Sequence, residues 1–168
     1  MSDIASQMNR EMGLDYNAFM ELCRSNDYIS SLGIDAPTLE GYLYPDTYRF
    51  LDIYTERDVI QIMVDEFQKR RDVLVECLLG IPSVDCYKPA GSFYTFPNFS
   101  AFYGKSFKGK KVEGSTQLAK FLLEEGKVAL VPGIAFGADK NLRMAFACST
   151  DNIKQGVERI TKTLELLE

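Results

Sequence analysis

The feature that most constrains this chain is the stretch from Thr55 to Leu79, TERDVIQIMVDEFQKRRDVLVECLL. Ile60, Met63, Phe67, Leu74 and Leu78 recur at the spacing of one helical face, so the stretch predicts one long amphipathic helix. Thr55 is a suitable N-cap, and Asp58 three residues on nearly completes a capping box. Lys69, Arg70 and Arg71 interrupt the apolar face, where long stems can still lie along apolar neighbours. Gly80 and Pro82 end the pattern. A helix this long must bury its stripe against something, so the segments on both sides of it are expected to supply partners.

Charge and residue usage narrow the function classes. The 168 residues carry a net charge of -5, which makes nucleic acid and anionic membrane poor partners. No window approaches the roughly 18 apolar residues of a membrane span. The first residues, MSDIASQMNREMG, lack the basic and apolar regions of a signal peptide, so a cytoplasmic location is expected. There is no histidine, which removes Ser-His-Asp and Cys-His catalysis and argues against zinc. Cys23, Cys77, Cys86 and Cys148 are scattered without a CxxC pair and read as free thiols; no metal site is expected.

Ahead of the long helix, three short helices are expected: one ending at Gly13, one capped by Asp15, and one over Asn26 to Leu32 stopped by Gly33. The stretch LEGYLYPDTYRF, Leu39 to Phe50, then resembles the signature of the endolytic murein transglycosylases, the YceG-like family. NDYISSLGIDAPT before it and ERDVIQIMVDEF after it are similar to the same family, and the resemblance covers about residues 1 to 67. It implies that Glu40 occupies the position of the catalytic acid/base. Such a glutamate in a partly apolar, tyrosine-rich cleft would hold its proton near neutral pH through desolvation. The family's membrane anchor and later catalytic segment are not expected here, so Glu40 is read as vestigial. Tyr42, Tyr44, Tyr48 and Tyr54 are expected to form the small core of this half.

Behind the long helix, Ser92 to Phe96, Lys127 to Val131 and Asn141 to Cys148 read as strands. YGKSFKGKKVEG reads as a basic loop. Ser115 is expected to cap a helix that stops at Gly126. Ser149 is expected to cap a last helix with Ile153, Val157, Ile160, Leu164 and Leu167 in one stripe. The stretches EFQKRRDVLVECL, PAGSFYTFPNFS, LLEEGKVALVPGIAFG and LRMAFACSTDNIKQGVERI resemble the C-terminal small domain of class I, aspartate aminotransferase-like, pyridoxal-phosphate enzymes, over about residues 66 to 168. The resemblance implies that Arg143 clamps the substrate α-carboxylate, for which a guanidinium fork is suited. Phe136 and Gly137 match the loop before it, and Ile134 departs from the small residue usual there.

The expected fold is α+β. Short N-terminal helices span 1–54, a shared long helix containing the junction spans 55–80, and an α-β-α-β-β-α small domain with a small sheet occupies 81–168. The sequence reads as a chimeric or truncated protein without complete catalytic machinery. No cofactor is expected, because the parent family's lysine-bearing domain is not among these residues. Ser106-Phe107-Lys108 echoes a Ser-x-Lys cofactor motif, but by position falls in a variable loop. Apolar surfaces left without their parent partners are expected to be hidden by internal docking or in a homodimer. The alternative functions are carboxylate binding through Arg143 and residual glycan cleavage through Glu40.

Overall fold

The structure, a computed structural model, describes all residues from Met1 to Glu168. The long helix forms as expected: α4 spans Glu56–Leu79 and follows α1 (Ser2–Met12), α2 (Tyr16–Leu22) and α3 (Asn26–Ser31). Its start is a closed capping box. The Thr55 N–H donates to the Asp58 carboxylate at 2.8 Å, and the Asp58 N–H donates back to the Thr55 hydroxyl at 3.4 Å. The Thr55 hydrogen bonds hold the Asp58 carboxyl below its ordinary pKa. All five apolar residues that predicted this helix are buried.

The chain divides into two compact units, and the division falls within α4. The first unit comprises Met1–Lys69 with Ala90–Ser92. Its helices are short and depend on caps and packing. The Asp15 carboxylate accepts from the Ala18 N–H at 2.8 Å, and the Ser25 hydroxyl accepts from the Tyr28 N–H at 3.4 Å. Gly13 ends α1 in the left-handed region at φ 72°, which favours glycine. Phe19, Ile29 and Leu39 are buried in this unit, as are Ile60, Val64 and Phe67 of α4. The tyrosines divide. Tyr42 and Tyr44 are buried, with Tyr42 edge-on to Phe67 at 5.5 Å between centroids. Tyr48 and Tyr54 are half-buried and flank Phe50 at 5.2 and 6.3 Å.

The second unit comprises Arg70–Pro89 with Phe93–Glu168. A three-stranded antiparallel sheet has the order β1 (Tyr94–Thr95), β5 (Leu142–Ala145), β4 (Val131–Pro132). Thr95 faces Met144, and Val131 faces Arg143. The mixed helix and antiparallel-sheet architecture is the expected α+β class. Local expectations are corrected in this unit. The basic loop contains a hairpin, β2 (Ser106–Phe107) with β3 (Lys110–Lys111). The strand expected over Lys127 to Val131 shrinks to Val131–Pro132, because only these residues pair with β5, and proline is tolerated on this edge strand.

Two helices complete this unit, α5 (Ser115–Glu124) and α6 (Thr150–Leu164). Ser149 caps α6 by accepting from the Asn152 N–H at 3.2 Å. The whole stripe Ile153, Val157, Ile160, Leu164 and Leu167 is buried. Gly126, just after α5, lies so close to α6 that an added Cβ would meet the Thr163 hydroxyl at 2.7 Å. Ser115 does not cap α5 as expected. It is the first helical residue, and its hydroxyl is drawn instead to Asp139, which accepts at 2.6 Å.

Candidate functional site

Arg143 lies on the central strand of the sheet. In a strand, alternate side chains take opposite faces. Leu142 and Met144 are buried while Arg143 is half-buried, so the core side and the open side of β5 are set by the alternation seen in the sequence. The guanidinium carbon is 4.8 Å from the centre of the Phe136 ring and 5.3 Å from that of Tyr94. Both are within cation–π range. No ion pair engages Arg143. Its fork of donors is therefore oriented by aromatic faces and left without a protein carboxylate.

The position of Phe136 follows from the segment before it. Gly133 opens a 3-10 turn, Gly133–Phe136. A Cβ at Gly133 would lie 2.2 Å from the carbonyl oxygens of Ala138 and Asn141, so only glycine allows the chain to fold back here. The Gly133 N–H donates to the Asn141 carbonyl at 2.9 Å and the Ala138 N–H to the Gly133 carbonyl at 3.0 Å. Phe136 then packs edge-on against Phe96 at 5.9 Å. The Asn141 side-chain amide secures Phe96 by donating to its carbonyl at 2.6 Å. The loop is also tied to α5, because the Ile134 N–H donates to the Ser115 hydroxyl at 3.2 Å.

A sequence profile described as aminotransferase class I and II matches residues 53–160, more than half of the chain. The chain belongs to the class I and II aminotransferases. A probable aspartate/prephenate aminotransferase of Aquifex aeolicus is 45% identical over 109 residues, which cover 65% of this chain and 26% of that protein. An aspartate aminotransferase of Pinus pinaster is 40% identical over 115 residues, covering 68% of this chain and 23% of that protein. The chain thus spans about a quarter of the length of these curated relatives. Among solved structures, the aspartate aminotransferase from Rhizobium meliloti superposes with a TM-score of 0.64 at 36% identity, covering 67% of this chain and 28% of that one.

The aminotransferase match begins at Ile53, ahead of Glu66–Phe67 where the two resemblances were expected to overlap. The opening turns of α4 thus lie inside the aminotransferase region. Pyridoxal phosphate in this family requires a lysine to hold it and a carboxylate for the pyridine nitrogen. Every lysine in this structure is exposed, and no aspartate or glutamate is buried. Lys108 of the Ser-x-Lys echo is exposed in the turn between β2 and β3, with its ammonium over the Phe107 ring at 4.6 Å.

Glu40 is not in the desolvated, tyrosine-rich cleft that its expected acid role requires. Its side chain is 69% exposed and pairs with the Met1 amine at 3.0 Å. Tyr42 and Tyr44 turn into the core instead of lining a cleft around it. The sequence singles out Arg143 and the Phe136 loop but not Tyr94 or the Ser115–Asp139 link. The signal for Tyr94 was its place in the aromatic run SFYTF, but its approach to Arg143 depends on the β1–β5 register.

Proposed function

We propose that this chain is a chimeric aminotransferase-like protein whose retained chemistry is recognition of an amino-acid carboxylate by Arg143. On this reading residues 1–168 do not carry out amino-group transfer by themselves. The observation that carries the reading is the Arg143 guanidinium, held between Phe136 and Tyr94 and free of any protein carboxylate. A planar fork kept open in this way suits bidentate binding of a carboxylate. The names of the relatives point to aspartate as the first ligand to test. The exposure of every lysine supports the absence of a complete catalytic site. The chimera reading rests on the LEGYLYPDTYRF motif, which precedes the aminotransferase match.

The test is titration with L-aspartate, followed by the arginine Nε–Hε NMR signals, for the native chain and for Arg143→Ala. A saturable shift of one arginine signal, lost in the variant, is expected. A shift that survives in Arg143→Ala overturns the assignment. In parallel, aspartate and 2-oxoglutarate are supplied together with pyridoxal phosphate. Turnover above the protein-free rate overturns the reading that these residues hold no complete site.

The same reading leaves Tyr94 and Phe136 as an exposed apolar rim around Arg143, with Ile134 exposed in the same turn as Phe136. We propose that self-association covers this rim. Sedimentation as a monomer at micromolar concentration would remove that part of the reading. A cytoplasmic location is part of the same proposal, supported by the four free cysteines. No helix is long and apolar enough to cross a membrane.

A further inference from the structure

The β2–β3 hairpin and α5 enclose a second cleft, of about 270 Å³, formed by residues remote in sequence from Arg143. Its floor is apolar. Phe107 and Phe121 lie 5.1 Å apart between ring centroids, and Val112 beside them is buried. Its rim is cationic. Lys108, Lys110 and Lys111 come from the hairpin and carry no ion pair, and Lys120 comes from α5, where it pairs with Glu124 at 3.8 Å. Four lysines against two glutamates, Glu124 and Glu125, thus line this cleft in a chain whose net charge is -5. The local excess of positive charge runs against the charge of the whole protein.

The hairpin turn gives an independent reason to read this cleft as a site. Lys108 and Gly109 both have positive φ, 49° and 75°. Two successive positive-φ residues between paired strands make the kind of turn that favours Asn, Asp or Gly at its first position. The chain places a lysine there, against the local backbone preference, and the ammonium of that lysine lies over the ring that forms the cleft floor. Strain held by a residue pointing at a cleft is a recognised mark of function.

We propose that this cleft binds a small aromatic anion, a ligand of one or two fused rings bearing a phosphate, sulfonate or carboxylate. The rings would rest on Phe107 and Phe121, and the anionic group would meet the unpaired hairpin lysines. An apolar floor with few convergent polar groups is the usual make-up of small-molecule sites. Cations without carboxylate partners lose no existing ion pair when the ligand arrives. This binding requires neither Arg143 nor the function proposed above.

The experiment uses 1-anilinonaphthalene-8-sulfonate as the anionic probe and N-phenyl-1-naphthylamine, its analogue without the sulfonate, as the neutral one. Both are titrated into the full chain by fluorescence, and amide NMR shifts map where they bind. The anion is expected to bind saturably, with shifts confined to residues 107–112 and 117–125. Its affinity should fall by about tenfold or more in Lys110→Gln/Lys111→Gln, because charge-assisted contacts are lost. The neutral analogue should bind more weakly than the anion. The lysine positions are exposed, so the variant is expected to keep the native circular dichroism spectrum. Unchanged affinity in this variant, equal binding of the neutral analogue, or shifts centred elsewhere would each overturn the proposal.

Discussion

The Asp139 carboxylate accepts hydrogen bonds from both the backbone N–H and the hydroxyl of Ser115, at 3.0 and 2.6 Å, across 24 residues of chain. It does the work of an N-cap from outside the helix, and the Ser115 hydroxyl passes the link on to the Ile134 N–H. The start of α5 and the loop that carries Phe136 are thereby joined. A Cβ at Gly114 would sit 2.6 Å from the Asp139 carboxylate, so glycine leaves that carboxylate in place without a side-chain shift.

This link has a pH signature. The Ser115 hydrogen bonds lower the Asp139 pKa from its ordinary 3.8. A carboxylate with a depressed folded-state pKa contributes stability that is present above its unfolded pKa and is lost as pH falls through the folded value. Asp139→Ala is therefore expected to have a lower urea midpoint than the native chain at pH 7, and the difference should shrink below pH 3.8. A difference independent of pH would show that the carboxylate charge is not what holds the helix start.

Arg143→Ala and Arg143→Lys separate packing from recognition. Loss of the two aromatic contacts is expected to cost about 1 kcal/mol in urea unfolding for Arg143→Ala. Arg143→Lys keeps the charge but not the fork, so it should recover stability while still binding aspartate more weakly than the native chain. Full aspartate binding by the lysine variant would count against bidentate recognition.

The stripe of α6 is buried along its length. Ile160 is fully buried, and Ile160→Ala should lower unfolding free energy by about 2–5 kcal/mol. Leu166 in the same segment is 47% exposed, and Leu166→Ala should change stability by no more than about 0.5 kcal/mol. Chemical denaturation of the two variants side by side checks the contrast.

Lys108→Asn should stabilise the chain by about 1 kcal/mol, because asparagine visits the left-handed region at lower cost than lysine. The same variant should bind the anionic probe less well. A loss of stability would mean that the turn prefers its lysine for packing reasons.

Burial pushes the Cys23 thiol up to about 12, against a smaller lowering by the N-terminal amine. The thiolate is the reactive form, so Cys23 should resist a disulfide-exchange reagent at pH 8 in the native state and react on unfolding. Mass spectrometry of alkylated peptides with and without denaturant reports this directly. Rapid native labelling of Cys23 would show that the first unit opens readily.

The sequence alone determined the parts of this protein that depend on local periodicity and end signals. The span of α4, its Thr55–Asp58 capping box, the α6 stripe and the alternation that sends Arg143 to the open side of β5 could all be read from residues within a few positions of one another. The physical reason is that helical and strand periods act over one or two turns, so the information is contiguous. Tertiary structure decided the rest. Asp139 replaced Ser115 as the cap of α5 because a stronger acceptor arrived from another loop. Glu40 is exposed while its neighbours Tyr42 and Tyr44 are buried, an arrangement set by the folded chain. The cleft of Phe107 and Phe121, and the aromatic setting of Arg143, arise only when segments distant in sequence are brought together, and no local pattern encodes that closure.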